Sequence, residues 1–94
     1  MNILWSPTAL ADLQEIYKYI ASDSTQAAMK TVLRIQNSVE RLSCFPLSGR
    51  IGRVAGTREL VVSGTPYICA YDIQKEQIRI AAIIHGRRMW PRSF

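Results

Sequence analysis

The chain has 94 residues, which predicts one domain spanning residues 1–94 and leaves no room for a second hydrophobic core. Hydrophobic residues make up 48% of the chain, and this composition argues against disorder. The formal net charge is +5, and all of it lies in residues 50–94, because the charges of residues 1–49 balance. Such an uneven distribution favours an acidic partner, either nucleic acid or an acidic protein segment.

The chain shows no signal for a membrane or a metal. Residues 1–7 lack the basic start and long apolar run of a signal peptide, and no apolar run is long enough to span a bilayer, so we expect a cytoplasmic protein. Cys44 and Cys69 are isolated from each other and from the single histidine, which argues against a metal site. We expect two buried free thiols, although their spacing alone also permits a disulfide.

The first half of the chain is predicted to form a short strand followed by a helix. Residues 2–5 are an apolar segment of strand length. Ser6 and Pro7 are typical of an N-cap and the first position of a helix. Apolar residues then recur every three or four positions, which predicts one buried helical face: Leu10, Leu13, Ile16, Tyr17 and Ile20.

A second helix is predicted after residues 21–24, with either Asp23 or Ser24 as its N-cap. It must end before Pro46, because proline disfavours helical geometry in the residue ahead of it. Its apolar stripe steps by four and three residues: Ala28, Val32, Ile35, Val39 and Leu42. Together the two helices predict a helical hairpin.

The second half is predicted to be a loop followed by three strands. Residues 46–56 hold three of the five glycines, so they are assigned to a loop. The three strands are predicted at 58–63, 67–73 and 77–85. Strict alternation in the last strand places residues 78, 80, 82 and 84 on one face and 79, 81, 83 and 85 on the other. Two apolar faces predict an interior strand, with helices over one face and the other covered partly or by a partner.

The end of the last strand is the strongest candidate for a functional site. An apolar strand stops there at His85, Arg87 and Arg88, and strand ends are where a rigid sheet presents side chains to solvent. A lone histidine is more often structural than catalytic, but the neighbouring arginines raise the case for a role in binding or proton transfer. Trp90 is expected to pack the C-terminus.

Other candidates lie earlier in the second half. Arg58 is followed at once by Glu59, which predicts either an exposed ion pair or a cation that binds phosphate or carboxylate. Arg50 and Arg53 belong to the glycine-rich loop and can fold over such a site, although a solvated basic loop is the simpler interpretation for Arg53. Tyr67 shares a predicted strand face with Tyr71 and Cys69, where tyrosines are most often packing residues.

The ordered set of motifs resembles the RelE/ParE superfamily of toxins from type II toxin–antitoxin modules. The motifs are Pro-x-x-Gly-Arg at 46–50, Arg-Glu-Leu-Val-Val at 58–62, Tyr-x-x-x-Tyr at 67–71 and His-Gly-Arg-Arg-x-Trp-Pro at 85–91. The helical hairpin and the C-terminal motif are more similar to the ParE branch. The resemblance implies an α+β fold in the order β-α-α-β-β-β, with a small twisted, mainly antiparallel sheet and the N-terminal helical hairpin packed on one face.

The resemblance also implies partners. A cognate antitoxin with an amphipathic, acidic tail is expected to wrap the toxin in a hetero-oligomer. ParE-type toxins inhibit DNA gyrase, which requires a binding surface and no catalytic residues or cofactor. RelE-type toxins instead cut mRNA on the ribosome. A third possibility is a non-toxic homologue that acts only within an antitoxin repressor complex.

The candidate residues differ between these interpretations. For a nuclease, Arg58, His85 and Arg88 match the strand arginine, the C-terminal histidine of some members and the basic residue after the last strand. However, the lysines before the strand arginine are missing and Phe94 stands where a tyrosine is often found, so the ParE-like interpretation is preferred. The residues then predicted to bind the target or the antitoxin are Arg50, Arg58, Arg79, His85, Arg87, Arg88 and Trp90.

Overall fold

A computed structural model describes residues 1–94. The strands form one five-stranded sheet in the order β1-β5-β4-β3-β2, with β1 parallel to β5 and the other pairs antiparallel. The predicted α+β fold is confirmed, and the predicted loop contains one further, two-residue strand. The elements are β1 (Asn2–Trp5), α1 (Pro7–Ala21), α2 (Thr25–Glu40), a 3-10 turn (Arg41–Ser43), β2 (Arg50–Ile51), β3 (Arg58–Val61), β4 (Tyr67–Gln74) and β5 (Gln77–His85).

Both helices begin at serine caps. The Ser6 hydroxyl oxygen accepts a hydrogen bond from the Ala9 amide at 3.0 Å, and Ser24 does the same for Ala27 at 3.1 Å. Ser24 rather than Asp23 is therefore the cap of α2. Each cap satisfies an amide that has no partner inside the helix. Neither helix is both long and apolar enough to cross a membrane.

The hydrophobic core lies between the helical hairpin and one face of the sheet. The stripe of α2 faces inward as predicted and contributes the fully buried Ile35 and Val39. The stripe of α1 is confirmed for Leu13, Ile16 and Ile20 and wrong for Leu10 and Tyr17, which are exposed. Burying a side chain of this size stabilises the fold by about 1.5–3 kcal/mol. The buried cluster comprises Ala9, Ile16, Ile35, Val39, Leu42, Val62, Tyr67, Cys69, Tyr71, Ile78, Ile80 and Ile83.

A β-bulge at Ala81 changes which residues of β5 share a face. Consecutive residues of β4 pair with Ile80 and Ala82, so Ala81 has no partner on that strand. Because the bulge adds one residue, Ile83 and His85 lie on the helix-covered face together with Ile80. The strict alternation predicted for this strand is therefore wrong beyond Ala81.

The second face of the sheet is covered partly by the chain itself, which is one of the two alternatives predicted from the sequence. Ala70 and Ala82 on this face are 0% and 3% exposed, although no helix covers them. Arg53, in the loop after β2, reaches over Glu59 on this face and stacks on Trp90 of the C-terminal segment. Residues 52–57 and 89–94 thus cover part of the second side of the sheet, while Val61 on the same face stays 52% exposed.

The two cysteines occupy different environments. Cys69 is fully buried in β4, and this burial raises the pKa of its thiol to about 12. Cys44 is exposed, because it follows the 3-10 turn and lies beyond Leu42, the last residue of the buried stripe of α2. Both thiols are free, so the prediction of a buried free thiol is confirmed for Cys69 and wrong for Cys44.

Candidate functional site

A groove of about 860 Å³ opens at the C-terminal end of β5. Helix α1 forms one wall, and the turn between β3 and β4 together with the end of β5 forms the other. Ile16, Tyr67 and Ile83 provide apolar surface inside it. The bulge at Ala81 is what directs this end of β5 toward the groove, because it returns His85 to the helix-covered face.

The two walls of the groove carry opposite charges. Asp12 and Glu15 line it from α1, whereas His85, Arg87 and Arg88 line it from the end of β5. None of the salt bridges in the structure involves Arg87 or Arg88. Both guanidinium groups are therefore free to bind a charged partner.

His85 stabilises the turn that carries the two arginines. Its Nδ1 accepts a hydrogen bond from the Arg87 amide at 3.1 Å, and its carbonyl accepts one from the Arg88 amide at 2.9 Å. Its ring lies edge-to-face against Tyr67, with centroids 5.7 Å apart. The Gly86 amide donates to the Pro66 carbonyl at 2.8 Å, which ties the same turn to the start of β4.

Asp12 completes the outer edge of β5. Strand β1 pairs with β5 only as far as Ile80, so the rest of that edge has no neighbouring strand. The Asp12 carboxylate accepts the Ile83 amide at 3.0 Å and so satisfies part of this edge. Burial raises the pKa of Asp12 above its ordinary value, although the Ile83 hydrogen bond and the charge of Arg88 act in the opposite direction.

A second cluster of charged residues lies on the opposite face of the sheet. Glu59 is 3% exposed and accepts hydrogen bonds from Arg50 at 3.0 Å and from the Arg53 amide at 2.7 Å. The Arg53 guanidinium adds two more bonds at 3.1 Å. Burial raises the pKa of Glu59, but the hydrogen bonds from Arg53 and Arg50 outweigh it and leave the pKa below its ordinary value. The Arg58–Glu59 ion pair considered from the sequence does not form.

Arg58 and Arg79 also have intramolecular partners. Arg58 donates to the Gly49 carbonyl at 2.8 Å, which fastens the loop ahead of β2. Arg79 pairs with Asp72 at 2.7 Å. Tyr71 is fully buried, and its hydroxyl accepts the Gly49 amide at 3.0 Å, so it serves packing and loop attachment.

The structure brings only part of the predicted site together. His85, Arg87 and Arg88 share the groove. Arg58 lies beside Tyr71, four residues along β4 from the Tyr67–His85 pair, which is a distance of about 13 Å along the strand. Arg50, Arg79 and Trp90 belong to the second face.

Sequence reasoning missed the acidic wall of the groove. Asp12 and Glu15 stand three residues apart on one side of α1, next to the apolar stripe, and that spacing is visible in the sequence. The charge balance of the first half concealed them, because a balanced total says nothing about where each charge lies.

Comparisons with known proteins cover nearly the whole chain. The family profile described as "ParE toxin of type II toxin-antitoxin system, parDE" matches residues 3–90. The curated protein "Putative toxin Y4kP" of Sinorhizobium fredii (strain NBRC 101917 / NGR234) is 41% identical over 90 residues, which cover 96% of this chain and 93% of that protein. "Toxin RelE2" of Caulobacter vibrioides (strain ATCC 19089 / CIP 103742 / CB 15) is 36% identical over 88 residues, which cover 94% and 98%.

A solved structure shares the fold. It is described as "Chromosomal ParDE TA system from P. aeruginosa", and its chain superposes with a TM-score of 0.82 at 28% sequence identity. The superposition covers 90% of this chain and 95% of that one. Sequence and fold therefore indicate the same set of relatives.

Proposed function

Since the chain belongs to the ParE toxin family of type II toxin–antitoxin systems, we propose that it arrests growth by inhibiting DNA gyrase in the cytoplasm and is neutralised by a cognate antitoxin. The observation that carries the proposal is the groove, where Arg87 and Arg88 have no salt-bridge partner and present their positive charge to a binding partner. Inhibition of an enzyme by binding requires such a surface and no chemistry of its own.

The positions of the nuclease candidates favour binding over cleavage. Cutting a phosphodiester requires groups for proton transfer and for charge stabilisation within hydrogen-bond reach of one reacting centre. Arg58 is about 13 Å along the sheet from the level of His85 and is bonded to the Gly49 carbonyl. The Nδ1 of His85 is occupied by the Arg87 amide.

The groove also suits an antitoxin segment. An amphipathic segment binds through its apolar face, and the groove offers apolar side chains between charged walls. Acidic residues of the segment would bind Arg87 and Arg88, and a basic residue would face Asp12. A segment bound this way covers both arginines, which accounts for neutralisation. The solved relative from a ParDE system supports a partner of this kind.

One observation keeps a ribosome-dependent endoribonuclease as the second candidate. His85 and Arg88 do share the groove, and one relative carries the name RelE2. A toxin of that kind would use the same surface for mRNA. The two candidates differ in the molecule that is cut, so they can be separated directly.

The deciding experiment combines purified chain with gyrase and supercoiled plasmid, beside a ribosome toeprint. We expect trapped gyrase–DNA cleavage complexes, which the antitoxin should abolish, and intact mRNA with or without the antitoxin. When Arg87 or Arg88 is substituted in this assay, Lys75→Asn is the control for the loss of one positive charge. Lys75 is exposed in the turn between β4 and β5, far from the groove, and adopts φ 58°, which asparagine tolerates. Codon-positioned mRNA cuts would establish the endoribonuclease instead. Activity in neither assay would indicate a homologue that acts only in a repressor complex.

A further inference from the structure

The C-terminal segment 89–94 is attached to the rest of the protein only through side chains. None of its backbone amides or carbonyls takes part in a hydrogen bond, whereas the preceding Gly86 and Arg88 amides are both bonded. The Trp90 ring lies under the Arg53 guanidinium, 3.8 Å from centroid to carbon, and meets Phe94 edge-to-face at 6.5 Å. The place of this segment therefore depends on side-chain contacts, with Trp90 nearest to the groove.

Arg53 can hold Trp90 because Arg53 is itself fixed. Glu59 accepts three hydrogen bonds from it, one from the backbone amide and two from the guanidinium. The loop that carries Arg53 is closed by the Gly52 amide bonding to the Thr57 carbonyl at 2.8 Å. A side chain at Gly52 would collide with Thr57, so the close approach of these two positions requires glycine.

The segment held by Trp90 is continuous with the groove. Arg88 lines the groove on one face of the sheet, and Trp90 is anchored on the other face. Only Met89 separates them, and it is 93% exposed, so it makes almost no contact that could fix the turn by itself. The chain therefore passes around the end of β5 with one anchor on each side.

We propose that Glu59 and Arg53 are positioning residues for the groove. They hold Trp90 on the second face and thereby add an anchor, beyond the His85 and Gly86 hydrogen bonds, to the turn that presents Arg87 and Arg88 to the partner on the helix-covered face. The inference rests on the proposed function for the identity of the molecule that the groove binds. The effect of Glu59 and Arg53 on Trp90 and the turn does not depend on that molecule. Preorganised arginines lose less conformational freedom on binding, which raises affinity without a new contact.

Glu59→Gln is the test variant because the Glu59 side chain is 2% exposed and cannot touch a partner. Glu40→Gln is its control for the loss of one carboxylate charge, since Glu40 is exposed at the end of α2 and forms no salt bridge. Arg53→Lys serves as a second variant in case Glu59→Gln fails to fold, because lysine keeps the charge and loses the planar fork.

The first measurement is made on the protein alone. In a Trp5→Phe background, Trp90 is the only indole, and its quenching by acrylamide reports its release. We expect Glu59→Gln and Arg53→Lys to increase quenching roughly twofold and to raise the amide exchange rates of Gly86 and Arg88 about fivefold by NMR, as expected for local opening. Glu40→Gln should change neither the quenching nor the exchange rates. Faster quenching with unchanged exchange at these two amides would overturn the inference, and so would unchanged quenching.

The second measurement is potency in the gyrase cleavage assay. We expect about a tenfold loss for Glu59→Gln and Arg53→Lys, and about the same for Trp90→Ala, with most of the potency restored in Trp90→Phe. Phenylalanine keeps a ring for Arg53 and removes the indole N–H, which is buried without a hydrogen-bond partner. Released Trp90 with full potency would overturn the positioning role and leave the gyrase proposal standing. No gyrase effect from the wild type would remove that proposal, while the exchange rates would still decide the structural step.

Discussion

The two faces of the sheet treat their positive charges in opposite ways. On the second face, the buried carboxylates of Glu59 and Asp72 form salt bridges with Arg50, Arg53 and Arg79. In the groove on the helix-covered face, Arg87 and Arg88 have no such carboxylate partner. The net charge of +5 thus predicts the sign of a partner, but only the pairing shows where that partner can bind.

The acidic residues of the two faces differ in the same way. Hydrogen bonds from arginines leave the pKa of Glu59 below its ordinary value, despite its burial. Asp12 in the groove has one amide donor, and burial raises its pKa. A carboxylate that is fully paired strengthens the fold at neutral pH, whereas a half-buried and poorly paired one weakens it. Arginine pairing therefore marks the structural face, and its lack marks the face on which we propose that a partner binds.

Removal of Glu59 should give the largest loss of stability. Glu59→Ala leaves Arg50 and Arg53 without a partner, and we expect the free energy of unfolding to fall by about 2 kcal/mol. This lies below the range of about 3–5 kcal/mol for a fully buried pair, because both arginines are half exposed and can be hydrated. Urea denaturation of the wild type and the variant measures this change in the free energy of unfolding. Glu15→Ala, which breaks an exposed pair with Lys18, should change it by less than about 0.5 kcal/mol.

The contribution of Glu59 to the free energy of unfolding should also depend on pH. Because its folded pKa lies below the ordinary value of 4.5, the stabilisation is present above that value and is lost as the pH falls through the folded pKa. The difference between wild type and Glu59→Ala should therefore shrink in acid. A difference that stays constant down to pH 2 would show that Glu59 acts through packing instead of charge.

Removal of the groove arginines should affect binding and leave stability unchanged. The double variant Arg87→Ala with Arg88→Ala should weaken binding to gyrase or antitoxin by about 1–2 kcal/mol and reduce the dependence of the association rate on salt. The free energy of unfolding should change by less than about 0.5 kcal/mol, since neither residue has an ion-pair partner. A higher concentration of the double variant should partly restore its activity in the gyrase assay. Lys75→Asn, measured in parallel, should leave binding at the wild-type level.

The sequence predicted the fold because its signals are local. Ser6 and Ser24 cap the helices where their positions suggested, and the apolar stripe from Ala28 to Leu42 faces the core. The bulge at Ala81 left no such signal, because an extra residue inside an uninterrupted apolar strand does not disturb the pattern of polar positions. The two-residue strand β2 is too short to carry a period.

The candidate site was predicted only where it follows directly from chain order. His85, Arg87 and Arg88 were found because they end a strand. Asp12 was missed, since it reaches Ile83 across 71 positions of sequence. The pairing of Glu59 with the loop arginines depends on how that loop folds back over the sheet, and no local pattern encodes such a return.

Asp12→Asn should make the fold slightly more stable. Because the pKa of Asp12 is raised in the folded state, that state holds the proton more tightly. The stabilisation that protonated Asp12 gives to the fold is therefore lost as the pH rises through the folded pKa. At pH 7 the ionised side chain is thus penalised by burial, whereas an asparagine oxygen can still accept the Ile83 amide. We expect a gain of at most about 1 kcal/mol. The gain should vanish below the ordinary pKa of 3.8, where the aspartate is neutral in both states.

A matched comparison tests whether the raised pKa of Asp12 is the cause. Glu15→Gln removes the same charge from the same wall of the groove at an exposed position. It should leave stability unchanged at every pH. A loss of more than about 1 kcal/mol in Asp12→Asn would instead show that the Ile83 amide requires a charged acceptor.

His85→Asn should have the smallest effect on activity, and its size separates the two mechanisms. The asparagine side-chain oxygen can take the place of Nδ1 and accept the Arg87 amide, so the turn that carries the arginines is kept. The contact with Tyr67 is lost, at a cost in stability of about 0.5–1.5 kcal/mol. If the groove only binds, potency in the gyrase assay should fall less than about threefold. A histidine that transfers a proton contributes about 100-fold or more, so a loss of that size in a folded variant, together with mRNA cleavage by the wild type, would assign the groove to an endoribonuclease.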